Sequence, residues 1–134
     1  MTVENPRDLR YSKEHEWVRV EGDTATMGIS DYAQHALTDI VYVELPKEGR
    51  EFKQFESVAV VESVKSVSDV YAPLSGKVLA VNKAVVEKPE LVNKEPFTNG
   101  WLFKFRVKTP SGAAELDKLM TPEQYDAYLQ SLKH

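Results

Sequence analysis

The chain has 134 residues, enough for one domain with a hydrophobic core, and its formal net charge of −4 excludes the basic face that nucleic-acid binding requires. It contains no cysteine, which excludes disulfides and thiolate chemistry, and no apolar run approaches the roughly 18 residues of a membrane-spanning helix. The N-terminal segment also lacks an apolar signal sequence, so we expect a cytoplasmic, monomeric protein that binds neither nucleic acid nor membrane.

Six short strands are predicted, because six stretches are rich in β-branched and aromatic residues and are bounded by Gly, Pro, Asp or Asn. They cover residues 24–29, 39–46, 56–63, 67–73, 76–82 and 100–107. Short strands at this spacing indicate a sandwich or a small barrel. In the last stretch, "GWLFKFRV", the alternation predicts that Lys104 and Arg106 lie on the solvent-exposed face.

Helices are predicted near residues 31–37 and at the C-terminus. Ser30 can N-cap the first helix. The second, over 121–132, has the N-terminal signature of a capping box, and its aromatic and leucine residues recur at helical spacing. A further short helix is predicted over 113–120. We expect one domain, residues 1–134, with a β core over about 9–107 and a helical tail over about 112–132.

The stretch "VESVKSVSDVYAPLSG", residues 61–76, places a single lysine in small, apolar and hydroxylated surroundings. The pattern is apolar up to residue 61, polar from Glu62 and apolar again at Val70, which predicts a hairpin with Lys65 at or beside its tip. The absence of Asn-Gly or Asp-Gly favours a turn that accepts ordinary residues, such as type I. One continuous strand is an alternative interpretation.

Lys65 itself allows two interpretations. It could be a solvated lysine beside Glu62 or Asp69, in a surface ion pair of about 0–1 kcal/mol. It could also be a modification site, because a flexible stem that ends in a primary amine can be acylated by an enzyme. Composition and spacing do not decide between the two.

The other candidate residues favour structural roles. His15 and His35 lack the spacing of a metal site, so we expect no metal and assign both to packing or to the surface. Trp17 and Trp101 are interpreted as core aromatics, since no basic stripe accompanies them. The serines around the lysine have no histidine–carboxylate arrangement and are interpreted as loop hydroxyls.

Six sequence blocks resemble, in the same order, those of the H protein family of the glycine cleavage system. Members of this family are lipoyl carriers. The blocks are "YSKEHEWV" (11–18), "GISDYAQ" (28–34), "DIVYVELPKEG" (39–49), "VESVKSVSDVYAPLSG" (61–76), "PELVNKEPF" (89–97) and "GWLFK" (100–104). The resemblance implies a mainly β, lipoyl-domain-like barrel-sandwich hybrid with short helices near 31–37 and at the C-terminus. One departure is Thr38, where many members have glycine, which is expected to affect a turn.

The resemblance also assigns the site. The family lysine of "ESVK" carries the lipoyl group, and it maps onto Lys65. The glutamate three residues before it and the glycine eleven after it help the lipoylating enzyme recognise the site; they map onto Glu62 and Gly76. Biotin carriers usually flank their lysine with methionines, whereas this lysine lies between Val64 and Ser66. The lipoyl domains of 2-oxoacid dehydrogenases lack the "EHEW" segment, so this class and the biotin carriers both match the sequence less well.

In the family, the loaded arm folds back into a cleft near "EHEW" and the far side of the lysine hairpin. Its load is a labile amine that water can release as formaldehyde and ammonia, and carboxylates suit its protection because they hold an ammonium by charge-assisted hydrogen bonds. Glu16 and Asp69 match acidic positions of the family motifs, and Glu14 is only a neighbour in the same acidic run. The alternative is that all three are ordinary solvated acids of an acidic protein, and for Glu14 this is the favoured interpretation.

The implied function is that of a non-catalytic carrier. Lipoate on Lys65, attached by a lipoate ligase or a lipoyl/octanoyl transferase, would take the aminomethyl group from a pyridoxal-phosphate glycine decarboxylase to an aminomethyltransferase. Dihydrolipoamide dehydrogenase would then reoxidise the reduced dithiol of the lipoyl group. One alternative is a lipoate relay protein that donates lipoate to other lipoyl domains. A second is a purely structural role, in which Lys65 stays unmodified.

Overall fold

The computed structural model describes residues 5–108 and 111–132. Its nine strands are β1 (Arg10–Tyr11), β2 (Glu16–Glu21), β3 (Thr24–Ile29), β4 (Ile40–Glu44), β5 (Glu51–Phe52), β6 (Ser57–Ser63), β7 (Val67–Tyr71), β8 (Gly76–Val81) and β9 (Phe103–Val107). Its helices are α1 (Asp31–Leu37), α2 (Lys83–Glu87), α3 (Glu90–Lys94), α4 (Ser111–Leu116) and α5 (Pro122–Leu132). Within the described residues, no helix is long and apolar enough to cross a membrane.

The strands form two antiparallel sheets. One has six strands in the order β1-β2-β3-β9-β8-β5, and the other has three in the order β4-β6-β7. The predicted mainly β fold with short helices is therefore confirmed. The hairpin prediction is also confirmed, because β6 and β7 pair antiparallel with Val61 opposite Ser68 and Glu62 opposite Val67. The alternative of one continuous strand is wrong.

A shared hydrophobic core lies between the sheets. In β9, Phe103, Phe105 and Val107 are buried and the two residues between them are exposed, as the alternation predicted for Lys104 and Arg106. Phe52 of β5 packs edge-on against both phenylalanines of β9. This alternation fixes which face of the six-stranded sheet contacts the three-stranded sheet.

A second, aromatic cluster attaches the C-terminal helix to the edge of the six-stranded sheet. It consists of Leu9, Tyr11, Trp17, Phe97 and Tyr125. The predicted capping box of α5 is present: the Thr121 hydroxyl accepts from the Gln124 amide (3.2 Å), and the Gln124 side chain accepts from the Thr121 amide (2.9 Å). Trp17 is fully buried as predicted, whereas Trp101 is half-buried and lies under the Lys104 ammonium.

Helix α1 begins and ends as its sequence suggests. The Ser30 hydroxyl accepts the Ala33 amide at the N-cap. Thr38, the departure from the family pattern, closes the helix with a φ of 66°. A positive φ is uncommon for a β-branched residue and would suit glycine, so the substitution leaves a strained turn at this helix end.

Several elements were not predicted. β1 and β5 have only two residues each, and β2 is rich in charged side chains, so none of them has a clear strand pattern. The five-residue helices α2 and α3 are too short to show a helical period. The strand predicted over 100–107 begins at Phe103, and the helix predicted over 113–120 is α4, which ends at Leu116.

Candidate functional site

Lys65 is exposed at the tip of the β6–β7 hairpin. The turn does not require glycine, because neither Val64 nor Lys65 has a positive φ. Within the described residues, Lys65 makes no ion pair; Asp69 instead accepts a hydrogen bond from the Ser57 hydroxyl (3.1 Å). The ion-pair interpretation of this lysine therefore has no support in the structure.

Every backbone amide of the turn at the tip donates a hydrogen bond. The Ser63 hydroxyl accepts from the amides of Lys65 (3.3 Å) and Ser66 (3.2 Å). The Ser63 amide donates to the Ser66 carbonyl (2.8 Å), and the Val64 amide donates to the Asp39 carbonyl (3.1 Å). All four amides of the turn have acceptors, so Ser63 is a structural organiser of the tip rather than a simple loop hydroxyl.

The hairpin has two faces with different properties. Directly paired residues of antiparallel strands point to the same face. Glu62 is paired with Tyr42 of β4 and Val67 of β7, and all three are exposed on the outer face of the sheet. Val61 and Ser68, one residue along, point to the opposite, inner face. Glu62 is therefore beside the tip and directed away from the core.

A cleft of about 210 Å³ lies on the inner side of the hairpin. The three acids that the sequence suggested, Glu14, Glu16 and Asp69, are among its lining residues. The Asp69 side chain lies on the same face of β7 as Val67, and its carboxylate accepts from the Ser57 hydroxyl. Its apolar lining consists of Ile29 of β3, Ala33, Ala36 and Leu37 of α1, and Val61 and Val70 of the hairpin; His15 and Ser68 complete it. Ser68 is three residues from Lys65, which is about 10 Å along an extended strand.

The three carboxylates differ in their surroundings. Glu14 and Asp69 are exposed, whereas Glu16 is 2% exposed. The Tyr71 amide donates to Glu16 Oε2 (3.1 Å), and the Ser12 hydroxyl donates a short hydrogen bond to Oε1. Burial raises the pKa of Glu16 to about 7, an effect that these two hydrogen bonds partly offset. Glu16 thus ties β2 to β7 and can hold or release a proton near neutral pH.

Glu16→Gln is expected to stabilise the protein at pH 8 relative to the wild type and to have little effect at pH 4. The folded-state pKa of Glu16 lies above its ordinary value of 4.5, so its contribution to stability is fully present below pH 4.5 and is lost as the pH rises to about 7. The difference between the two pKa values corresponds to about 3 kcal/mol in the free energy of unfolding. Urea unfolding of both proteins at the two pH values would measure this, with Glu14→Gln as the exposed control. A Glu16→Gln effect that does not vary with pH would contradict the assignment.

Gly76, the second predicted recognition residue, is not near the tip. It opens β8 in the six-stranded sheet, where it is paired with Phe52 and Val107. It is buried, and a side chain here would collide with the Arg106 carbonyl oxygen and approach Phe105 Cδ2 to 2.6 Å. The structure thus gives Gly76 a packing role, while its role in recognition remains a prediction.

His15, for which the sequence predicts only packing or a surface position, lines the cleft between Glu14 and Glu16. Its backbone has a φ of 74°, which is uncommon for a residue other than glycine. The sequence carries no signal for this conformation, since the contacts of His15 are with Ser30, Tyr32 and Tyr125 of other elements.

Two antiparallel sheets that enclose a common core and present an exposed lysine at a hairpin tip define a carrier domain of the lipoyl type. Comparisons with known proteins agree. Residues 9–132 match the family model described as "Glycine cleavage H-protein". The chain therefore belongs to the glycine cleavage H-protein family, and the resemblance seen in the sequence is confirmed. Members of this family are non-catalytic lipoyl carriers of the glycine cleavage system and carry lipoyllysine.

Individual relatives are similar over almost their whole length. The chain is 53% identical over 123 residues to a glycine cleavage system H protein from Symbiobacterium thermophilum, covering 92% of this chain and 94% of that one. It is 50% identical over 125 residues to one from Carboxydothermus hydrogenoformans, covering 93% and 94%. A crystal structure of an H protein from Mycobacterium marinum superimposes with a TM-score of 0.79 at 34% identity, covering 92% and 97%.

The residues present fit a lipoyl group. Lys65 is exposed and its amine makes no ion pair among the described residues, as an acyl acceptor requires. The apolar walls of the cleft suit an acyl chain, and its carboxylates suit an amine at the end of that chain. In the described part of the chain, no group of three or more histidines and acids could hold a metal ion.

Proposed function

We propose that Lys65 is the lipoylation site of this carrier and that the cleft beneath the hairpin shelters the loaded arm. The observation that supports this most directly is the placement of one exposed lysine on a fully hydrogen-bonded tip, above a cleft lined by three carboxylates. When bound, the lipoyl group supplies a cyclic disulfide whose sulfur can accept a carbon fragment. The chain supplies the accessible amine, the fixed tip and the cleft.

The two faces of the hairpin have different roles in this proposal. The inner face, with Val61 and Ser68, leads from the tip to the cleft and so suits retention of the arm. The outer face, with Glu62, Tyr42 and Val67, is exposed and suits docking by the enzyme that attaches the lipoyl group. A lipoate ligase or a lipoyl/octanoyl transferase can therefore bind the tip from outside without entering the cleft.

The cleft residues have distinct roles in this proposal. Glu14 is exposed beside the cleft and can accept hydrogen bonds from an ammonium group that enters it, whereas Asp69, whose side chain shares the outer face of β7 with Val67, can do so only from the rim. Glu16 is buried, with both carboxylate oxygens hydrogen-bonded to Ser12 and Tyr71, so in this proposal it supports the cleft wall. The apolar residues of α1 and the hairpin exclude water from the chain of the arm. Glycine decarboxylase, aminomethyltransferase and dihydrolipoamide dehydrogenase are the partners that the carrier would meet in turn.

Attachment to Lys65 can be tested by mass spectrometry. The purified chain is incubated with lipoate, ATP and an excess of a lipoate ligase, and its intact mass and proteolytic peptides are then measured. The expected result is one modification per chain, on the peptide that contains Lys65. An unmodified Lys65 at saturating ligase, or modification of a different lysine, would overturn the proposal.

Glu62→Ala is expected to slow lipoylation without changing the fold, because its exposed carboxylate lies beside the tip and makes no ion pair among the described residues. Losing one charge-assisted contact with the ligase would cost about 1.5–3 kcal/mol, or roughly tenfold or more in kcat/KM. Glu44→Ala is the matched control, since Glu44 is another exposed acid of the same sheet, farther from the tip. Equal rates for Glu62→Ala and the wild type would remove Glu62 from the recognition role.

A further inference from the structure

The backbone at His15 is held in a conformation that needs support. Its φ of 74° crowds the Cβ atom against the neighbouring carbonyl, and such a residue persists only where its surroundings fix it. The His15 amide donates to the Ser12 carbonyl (3.1 Å), and its own carbonyl accepts from the Ser30 amide (2.8 Å). The turn that carries Glu14 and Glu16 is thus bonded to the N-terminus of α1.

The imidazole of His15 is fixed by tyrosines from both helices that flank it. Nδ1 lies 2.8 Å from the Tyr125 hydroxyl of α5. The ring centroid is 4.5 Å from that of Tyr32 in α1 and 5.9 Å from that of Tyr128 in α5. Burial lowers the pKa of His15, an effect that nearby Glu14 partly offsets, so the ring is neutral near neutral pH.

The Tyr125 hydroxyl joins two parts of the protein. Besides His15, it contacts the Ser30 hydroxyl at 2.7 Å, and Ser30 Oγ also accepts the Ala33 amide as the N-cap of α1. Tyr125 is fully buried, and its ring stacks on Tyr11 with centroids 4.4 Å apart. Burial also raises the pKa of Tyr125, so the hydroxyl keeps its proton and can donate one hydrogen bond while it accepts another.

Both segments that Tyr125 anchors are walls of the cleft. One wall is the turn with Glu14, His15 and Glu16, and the other is α1. Tyr125 and Ser30 do not line the cleft themselves. We infer that the hydrogen-bonded set Tyr125–His15–Ser30 positions the two walls, so that the C-terminal helix controls how well the cleft retains its contents. Tyr125 and Ser30 are positioning residues in this scheme, and the consequence for the arm rests on the proposed function.

Tyr125→Phe tests the inference, because it removes the hydroxyl and keeps the stacked ring. In the unmodified chain, we expect the amides of Gln34 in α1 and of Thr38 at its C-cap, which donate to the carbonyls of Ser30 and Gln34, to exchange about tenfold faster. A tenfold increase in the exchange rate corresponds to a decrease of about 1.4 kcal/mol in the free energy of local opening. In the glycine-loaded carrier, we expect formaldehyde release to accelerate by a similar factor while lipoylation is unchanged. Ser30→Gly, which retains an acceptable N-cap residue, should have the same effect, and the double variant should add little.

Gly22→Ala is the control for a general loss of stability. It changes only the backbone conformation of the turn between β2 and β3, with nothing within 4 Å of the added Cβ, and lies outside the Tyr125 network. Unchanged exchange in both Tyr125→Phe and Ser30→Gly, or equal acceleration in Gly22→Ala, would overturn the inference. Faster exchange with unchanged formaldehyde release would leave the positioning role in place and overturn the sheltering function proposed for the cleft, so the two failures can be told apart.

Discussion

Lys65→Arg is expected to abolish lipoylation and glycine cleavage while leaving the fold intact. Arginine keeps the positive charge and the long stem, but its delocalised guanidinium stays protonated and does not serve as an acyl acceptor. Lys65 is exposed and makes no ion pair among the described residues, so the change in stability should stay within about 0.5 kcal/mol, or roughly 2 °C in Tm.

Three measurements check this result: the intact mass after lipoylation, glycine-dependent CO₂ release with the other proteins of the system, and thermal unfolding. Lys83→Arg is the matched control, because Lys83 is an exposed lysine at the start of α2, outside the hairpin. A lipoyl group that still attaches to the Lys65→Arg protein would mean that another lysine is the acceptor. A large loss of Tm would favour a structural role for Lys65.

Gly76→Ala is expected to destabilise the fold by about 3 kcal/mol, at the upper end of the usual cost of overpacking. The added methyl would meet the Arg106 carbonyl and the Phe105 ring, and a backbone carbonyl in the middle of a sheet cannot rotate away. In a domain of this size, the loss corresponds to roughly 10 °C in Tm. The rate of lipoylation of the molecules that remain folded tests the predicted role of Gly76 in recognition separately from its packing role.

The control for this prediction is Gly22→Ala. Gly22 has a φ of 67° and nothing within 4 Å of an added Cβ, so the cost there is limited to the backbone conformation, about 1 kcal/mol. Thermal unfolding and the initial rate of lipoylation below the melting range would be measured for both variants. A Gly76→Ala protein with normal Tm and slow lipoylation would contradict the packing role and support direct recognition by the ligase.

The hairpin was predictable from sequence because its signal is local. The change from apolar to polar residues at Glu62 and back at Val70 marks the turn, and the structure places Lys65 there. The family resemblance added the chemistry, which neither the spacing nor the composition contains. The contrast shows that a single local pattern can locate a site without identifying its reaction.

The cleft could be anticipated only in part. Glu16 and Asp69 were found through the family motifs and Glu14 as their neighbour in the acidic run. Their different burial was not found, because Glu14 and Glu16 lie two residues apart in that run. Whether each is buried depends on where β2 begins and on β7, which supplies the Tyr71 amide to Glu16. The spacing of Tyr125 predicted a buried helix face, but its hydrogen bonds to His15 and Ser30 join residues separated by 110 and 95 positions.

The fixed turn at Lys65 affects how much of the time a lipoyl arm would spend in the cleft and how much it would be available to the partner enzymes. Because all four turn amides are bonded, the stem at Lys65 starts from a nearly fixed point, and its far end searches only a small volume. A short flexible tether of this kind gives an effective concentration in the millimolar range. An intrinsic dissociation constant of about 1 mM, or about 4 kcal/mol, is then enough to keep the arm in the cleft about half of the time. If the cleft shelters the arm as proposed, retention of this strength would halve the time that the load spends in solvent and would leave a partner little free energy to overcome when it withdraws the arm.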